Sequence, residues 1–101
     1  MTPLEAQFHS AMLDLYRNAK TRCNYTATYF LQMVTDDGGL ATARTLLHSA
    51  HPASGFAELW ECGALDLTVE AQVLRSEFAE LFTDEERAIA RQRLADYGYR
   101  G

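Results

Sequence analysis

The sequence predicts an all-α protein, a single compact bundle of about five or six short helices forming one domain over residues 1–101. Three observations carry that expectation. Thr2-Pro3-Leu4-Glu5 and Thr83-Asp84-Glu85-Glu86 each read as a helix start, because a Thr hydroxyl accepts a backbone N–H and a Glu three residues on bonds back to the cap. Pro3 sits where a missing N–H costs nothing. Gly38-Gly39 and Gly63 read as stops, and apolar residues between these marks recur every three or four positions.

The first helix is expected from Pro3 to about Arg22, with Leu4, Phe8, Ala11 or Met12, Leu15 and Ala19 on one face. Arg17, Lys20 and Arg22 suit its negative C-terminal end. Asn24 or Thr26 would cap a second helix ending near Asp37, with Tyr29, Phe30, Met33 and Val34 inward. A third helix follows over about Leu40 to Ser49, closed by His51-Pro52. Ser54 would cap a fourth, about Gly55 to Cys62, carrying Phe56, Leu59 and Trp60. Thr68 or Asp66 would open a fifth, about Val69 to Arg75, and Glu77 to Phe82 adds a continuation or a separate turn. Thr83 opens the last helix, which runs to about Tyr97 and stops at Gly98. The tract Ala64 to Leu67 alternates but is too brief for a strand. The expected core is Leu15, Phe30, Val34, Leu46, Leu47, Phe56, Leu59, Trp60, Leu74, Phe78, Phe82 and Leu94.

Composition narrows the function class. A hydrophobic share of 48% and a charged share of 23% are those of a soluble globular domain. The net charge of −5 argues against a general binder of nucleic acid or anionic membrane, which needs local positive charge. No apolar run approaches the roughly 20 residues of a membrane span, so a cytoplasmic protein with no membrane contact is expected. Cys23 and Cys62 form no disulfide framework and follow no secretory signal; each is expected to act as a small core hydrophobe. Charge is uneven: residues 58–86 hold nine carboxylates and only Arg75, whereas residues 87–101 hold four arginines and only Asp96. The single lysine against eight arginines fits the coding bias of a GC-rich bacterial genome.

Four constellations are candidates for chemistry. Residues 26–48 have the length of a helix-turn-helix, whose second helix would offer Arg44, Thr42, Thr45 and His48 to a DNA groove. Arg17, Lys20 and Arg22 would add phosphate contacts if they converge with Arg44. Asp36 and Asp37 at the mouth of that unit count against it. His48, His51 and Cys62 hold metal-ligating atoms but lack any recognised metal motif, so no metal or other cofactor is expected. Glu58, Glu61, Asp66 and Glu70 lie near Trp60 and could split their pKa values as an acid–base pair, but a solvated acidic face reads the same. No serine or cysteine has a nucleophile context, so no catalytic residue is assigned and the chain is read as non-enzymatic.

The fourth constellation is an interaction surface. Tyrosine and tryptophan favour binding hot spots, and Tyr16, Tyr25, Tyr29, Trp60, Tyr97 and Tyr99 are many such rings for a short chain. The reading selects Tyr25, Tyr29, Glu58, Glu61 and Tyr97 as contacts to a protein partner or to a second copy in a homo-oligomer. The acidic block suits a partner with a basic surface, or simple solubility. A helix-turn-helix binder of nucleic acid through Arg17, Lys20, Arg22, Arg44 and His48 is the lower-ranked alternative. Arg87, Arg91 and Arg93 form a basic patch or answer the last helix's dipole.

The tract Tyr25-Thr26-Ala27-Thr28-Tyr29-Phe30-Leu31-Gln32-Met33, with Gly38-Gly39 and Ala43-Arg44-Thr45-Leu46-Leu47, belongs to a wider pattern. It continues through Ser54-Gly55-Phe56-Ala57-Glu58-Leu59-Trp60-Glu61, Leu65-Asp66-Leu67-Thr68-Val69-Glu70, Phe82-Thr83-Asp84-Glu85-Glu86 and Ala90-Arg91. Over nearly its whole length the chain resembles a family of small bacterial proteins of unknown function, most specifically in Gly-Phe-x-x-Leu-Trp-Glu. That resemblance implies a free-standing bacterial protein and supplies no catalytic or binding residues.

Overall fold

A computed structural model describes residues 1–99; Arg100, Gly101 and the side chain of Ser54 lie outside the description. The described residues form six α-helices and two short 3-10 helices, with no strand among them.

Helix α1 (Pro3–Cys23) is capped by Thr2, whose hydroxyl accepts from the Glu5 N–H at 3.1 Å. It buries Phe8, Met12, Leu15 and Ala19 on one face, the stripe its periodicity predicts. Asn24 ends α1 in the left-handed conformation, φ 51°, so it is a stop rather than the cap of the next helix. Helix α2 (Thr28–Asp37) begins after Ala27 with no side-chain cap, which leaves Thr26 unused as well. Helix α3 spans Gly39–Leu47, two residues short of the expected end.

The turn between α2 and α3 uses its two glycines differently. Gly38, at φ 89° and ψ 157°, occupies a region that is essentially glycine's alone. Gly39 is the first residue of α3 and presses on α1: a Cβ there would lie 2.8 Å from the His9 Cα. Its N–H donates to His9 Nδ1 at 3.0 Å, so one contact sets both the spacing of α1 and α3 and the start of α3.

Helix α4 (Ser54–Glu61) follows Ala53, whose methyl offers no cap; the expected cap, Ser54, is instead the first helical residue, with its side chain outside the description, and Gly63 closes the segment at φ 74°. The 64–67 tract becomes a 3-10 helix over Leu65–Leu67. Thr68 caps the short α5 (Val69–Val73), accepting from the Ala71 N–H at 3.1 Å. The second 3-10 helix is Ser76–Leu81. Helix α6 (Asp84–Asp96) opens on a complete capping box: the Glu86 N–H donates to Thr83 Oγ1 at 3.0 Å, and the Thr83 N–H donates to Glu86 Oε1 at 2.9 Å.

The main core gathers around α1. Phe8 meets Phe78 and Phe82 edge-to-face, with centroids 5.0 and 5.2 Å apart. Of the expected core, Leu15, Val34, Leu47, Phe56, Leu59, Phe78, Phe82 and Leu94 are buried, while Phe30, Leu46 and Leu74 are only half-buried. Trp60 is 46% exposed and corrects the expectation of a core indole. In an eight-residue helix Phe56 and Leu59 fill the inward face, leaving Trp60 at its edge.

Two further expectations are corrected. Cys23 and Cys62 are not inert core thiols: they form a disulfide that ties the end of α1 to the end of α4, with Cα atoms 5.8 Å apart. Of the two readings of Arg93, the surface patch is the one the fold overturns, although the residue does lie in the last turn of α6. It is buried and donates to the carbonyls of Leu46, Leu47 and Ser49 at 2.9, 3.3 and 2.6 Å, and to Glu70 Oε2 at 3.1 Å. One guanidinium thereby satisfies the open carbonyl end of α3 and joins it to α5 and α6.

Candidate functional site

Helix α4 is the centre of the chain's unusual surface. Its buried residues Phe56 and Leu59 face the protein, while Ala57, Glu58, Trp60 and Glu61 are exposed. At the end of α6, Tyr97 folds back onto this helix, its ring 4.8 Å from Phe56 and 5.3 Å from Trp60, edge-to-face in both cases. Tyr97 remains 39% exposed. The result is an aromatic ledge of Trp60 and Tyr97, with the carboxylates of Glu58 and Glu61 on the same helix.

On the other side of α4 lies a cavity of about 300 Å³. Its exposed lining residues Thr26, Thr28, Tyr29 and Ala53 define the mouth, and the buried Leu15, Ala19, Phe56, Leu59, Val69 and Glu70 define the depth. Tyr25 leans on α4 at Gly55, where a Cβ would lie 3.1 Å from the Tyr25 hydroxyl. Glycine therefore lets the ring approach the start of the helix. Tyr29 is 76% exposed, too far out to serve the core of α2 as its spacing suggested.

The five residues selected as partner contacts thus flank one helix. Glu58 and Glu61 lie on its outer face, Tyr97 packs on the ledge, and Tyr25 and Tyr29 line the cavity. The signal that sequence reasoning missed is Trp60, which its pattern assigned to the core.

The four clustered acids separate. Glu58 and Glu61 are exposed. Asp66 pairs with Arg22 at 2.8 Å, and this guanidinium is the main reason its carboxyl titrates below its ordinary range. Glu70 is 4% exposed and pairs with Arg93. No two of the four share a hydrogen bond among the described residues. The histidines and cysteine separate too: Cys62 is bonded to Cys23, and His48 Nε2 lies 2.9 Å from Glu86 Oε2. Among the described residues no group of three His, Cys, Asp or Glu side chains surrounds a common point.

Of the basic residues proposed for DNA, Arg17, Arg22, Arg44 and His48 face carboxylates or carbonyls. Arg17 bonds Asp14 at 2.8 Å and Arg22 bonds Asp66. Arg44 donates to the Leu81 carbonyl at 2.7 Å and lies 3.6 Å from Glu86, which also holds His48. Lys20 is exposed, and Thr42, expected on the groove-facing side, is fully buried. Leu81 is flanked by Phe78 and Phe82, which pack on Phe8, whereas Arg22 lies 14 residues further along α1. At 1.5 Å per residue that is about 21 Å, so Arg44 and Arg22 occupy different ends of the bundle.

No described helix is long and apolar enough to cross a membrane. Compared with protein families, curated proteins and solved structures, the chain matches none.

Proposed function

We propose that this chain is a non-enzymatic interaction module that binds a basic protein segment through the α4 ledge. The observation that carries the reading is the exposure of Trp60, 46%, packed against Tyr97 on a helix that also exposes Glu58 and Glu61. Indole and phenol rings attract the cations of Lys and Arg across their faces, and the two carboxylates add charge complementarity. A large ring held half out of water by a second ring is a rigid anchor, with little side-chain entropy to lose on binding. The partner is a Lys- or Arg-rich segment of another protein, or the exposed Arg91 side of a second copy of this chain. The separation of the acids and the lack of a nucleophile context support the non-enzymatic part of the proposal. A cytoplasmic location is part of the original expectation, and the disulfide weighs against it, because such bonds persist chiefly in oxidising compartments.

Trp60 is the only tryptophan, so its emission reports the ledge directly. Titration with a lysine-rich peptide should give a saturable emission change that a glutamate-rich peptide does not. Glu58→Lys combined with Glu61→Lys should weaken that response at least tenfold without shifting the thermal midpoint. A dimer in sedimentation that the same double variant dissociates would make the partner a second copy. Emission indifferent to both peptides, in a protein that sediments as a monomer, overturns the proposal.

A further inference from the structure

We infer that the cavity between α1, α2 and α4 is a binding site for a small, uncharged, largely aromatic molecule carrying one hydrogen-bond donor. The site is independent of the α4 ledge: Glu58, Trp60 and Glu61 do not line it. Its volume of about 300 Å³ is at the lower end for pockets that hold small organic ligands, which run from roughly 300 to 1,000 Å³. Its walls are mostly apolar, so water inside finds few of the two to four polar partners that a buried water needs, and an aromatic guest displaces it readily.

The lining sets the chemistry. Leu15, Phe30, Met33, Leu46 and Phe56 offer aliphatic, thioether and aromatic surface, which suits a flat ring system. Deep polar groups are few. Thr68 is largely engaged, its one O–H donated to the Leu65 carbonyl at 2.7 Å and one lone pair taken by the Ala71 N–H. Glu70 is the exception. Arg93 holds its Oε2, while Arg93 itself does not line the cavity and also donates to the carbonyls of Leu46, Leu47 and Ser49. Glu70 therefore lines the cavity and Arg93 does not, and Oε1, the oxygen that Arg93 does not bond, is the acceptor we assign to a ligand.

Charge follows from the same arrangement. No lining residue is basic among those described, so an anionic ligand would lose its hydration and meet no cation of its own, the only guanidinium nearby being already paired with Glu70. That excludes fatty acids and aryl carboxylates. A fully charged amine gains little, because Arg93 already neutralises Glu70. A neutral molecule with one N–H or O–H directed at Oε1 satisfies both the apolar walls and the acid.

Two dyes with one ring skeleton test this on the full-length, oxidised chain. N-phenyl-1-naphthylamine is neutral with a single N–H; 1-anilinonaphthalene-8-sulfonate is the same skeleton bearing an anion. The neutral dye should bind one per chain with saturable fluorescence, and the anion at least tenfold more weakly. Ala53→Trp and Thr26→Trp place a ring at the exposed mouth, away from the packed core. Each should weaken the neutral dye at least tenfold at an unchanged thermal midpoint. If the neutral dye fails to saturate, if the anion binds equally well, or if both mouth variants bind as the parent does, the site is not what we infer. Because Glu58 and Glu61 are untouched, failure here leaves the ledge proposal standing, and failure of the ledge leaves this one.

Discussion

Glu86 shows how one side chain does several jobs. Its Oε1 accepts the Thr83 N–H that starts α6, and its Oε2 faces Arg44 of α3 and His48 just past the end of that helix. Burial alone would push this carboxyl up, but the Thr83 N–H, the His48 contact and the Arg44 charge together outweigh burial and hold it below its ordinary 4.5. The sign of the pH dependence follows. The folded state keeps Glu86 ionised where the unfolded chain has begun to protonate it, so the unfolded state binds more protons as pH falls below the ordinary value. The stabilisation is complete above that value and is lost as pH falls through the depressed folded value. Denaturant midpoints should fall as pH drops from about 5 toward 3, and Glu86→Gln should flatten that acid limb. An identical acid limb in Glu86→Gln would remove Glu86 from the account. The local half of this site was legible: a Thr and a Glu three residues apart suffice to write a capping box. The contacts to Arg44 and His48 were not, because they join residues 38 or more positions apart.

At the scale of elements, helix starts were legible where the cap is local and obscure where it is not. Thr2, Thr68 and Thr83 each cap the helix that follows, because the hydroxyl and the N–H it accepts lie within three residues. Asn24 misled because the residue types that cap a helix start also tolerate the left-handed end of one. Arg93 misled more deeply: its charge pattern reads as surface, and only the fold reveals the three α3-end carbonyls that draw it inward. Gly39 was read as half of a stop, but its work is spacing. A Cβ there would meet α1 backbone, which cannot rotate away as a side-chain end would. Gly39→Ala should therefore force α1 and α3 apart, at a cost of about 1–3 kcal/mol for overpacking. That corresponds to a thermal midpoint lower by about 5–15 °C for a domain of this size. A calorimetric midpoint within a degree or two of the parent would show that α1 and α3 yield without cost.

At the scale of the molecule, the bundle is not equally secured throughout. Helices α1, α3, α5 and α6 share the main core, and Arg93 ties α3, α5 and α6 together, whereas α4 adds only Leu59 to that core and rests chiefly on the first 3-10 helix and on Tyr97. The disulfide compensates, closing the chain from Cys23 to Cys62, a separation of 39 residues, at the junction of α1 and α4. Two isolated cysteines gave no hint of this, because pairing depends on where two helix ends meet. In the loop-entropy account a closure of that length contributes about 4 kcal/mol, against roughly 5–15 kcal/mol for a whole domain. Reduction should lower global stability by an amount of that order, and its effect should also be local. Amides of α4 should lose hydrogen-exchange protection first, while those of α1 and α6 stay near the global limit. Since α4 bears the ledge and walls the cavity, both proposed sites should slacken together on reduction. Cys23→Ser with Cys62→Ser should reproduce that pattern without a reductant. Protection lost evenly across all helices would instead mean that α4 is an integral part of one cooperative core, and that the bridge clamps nothing in particular.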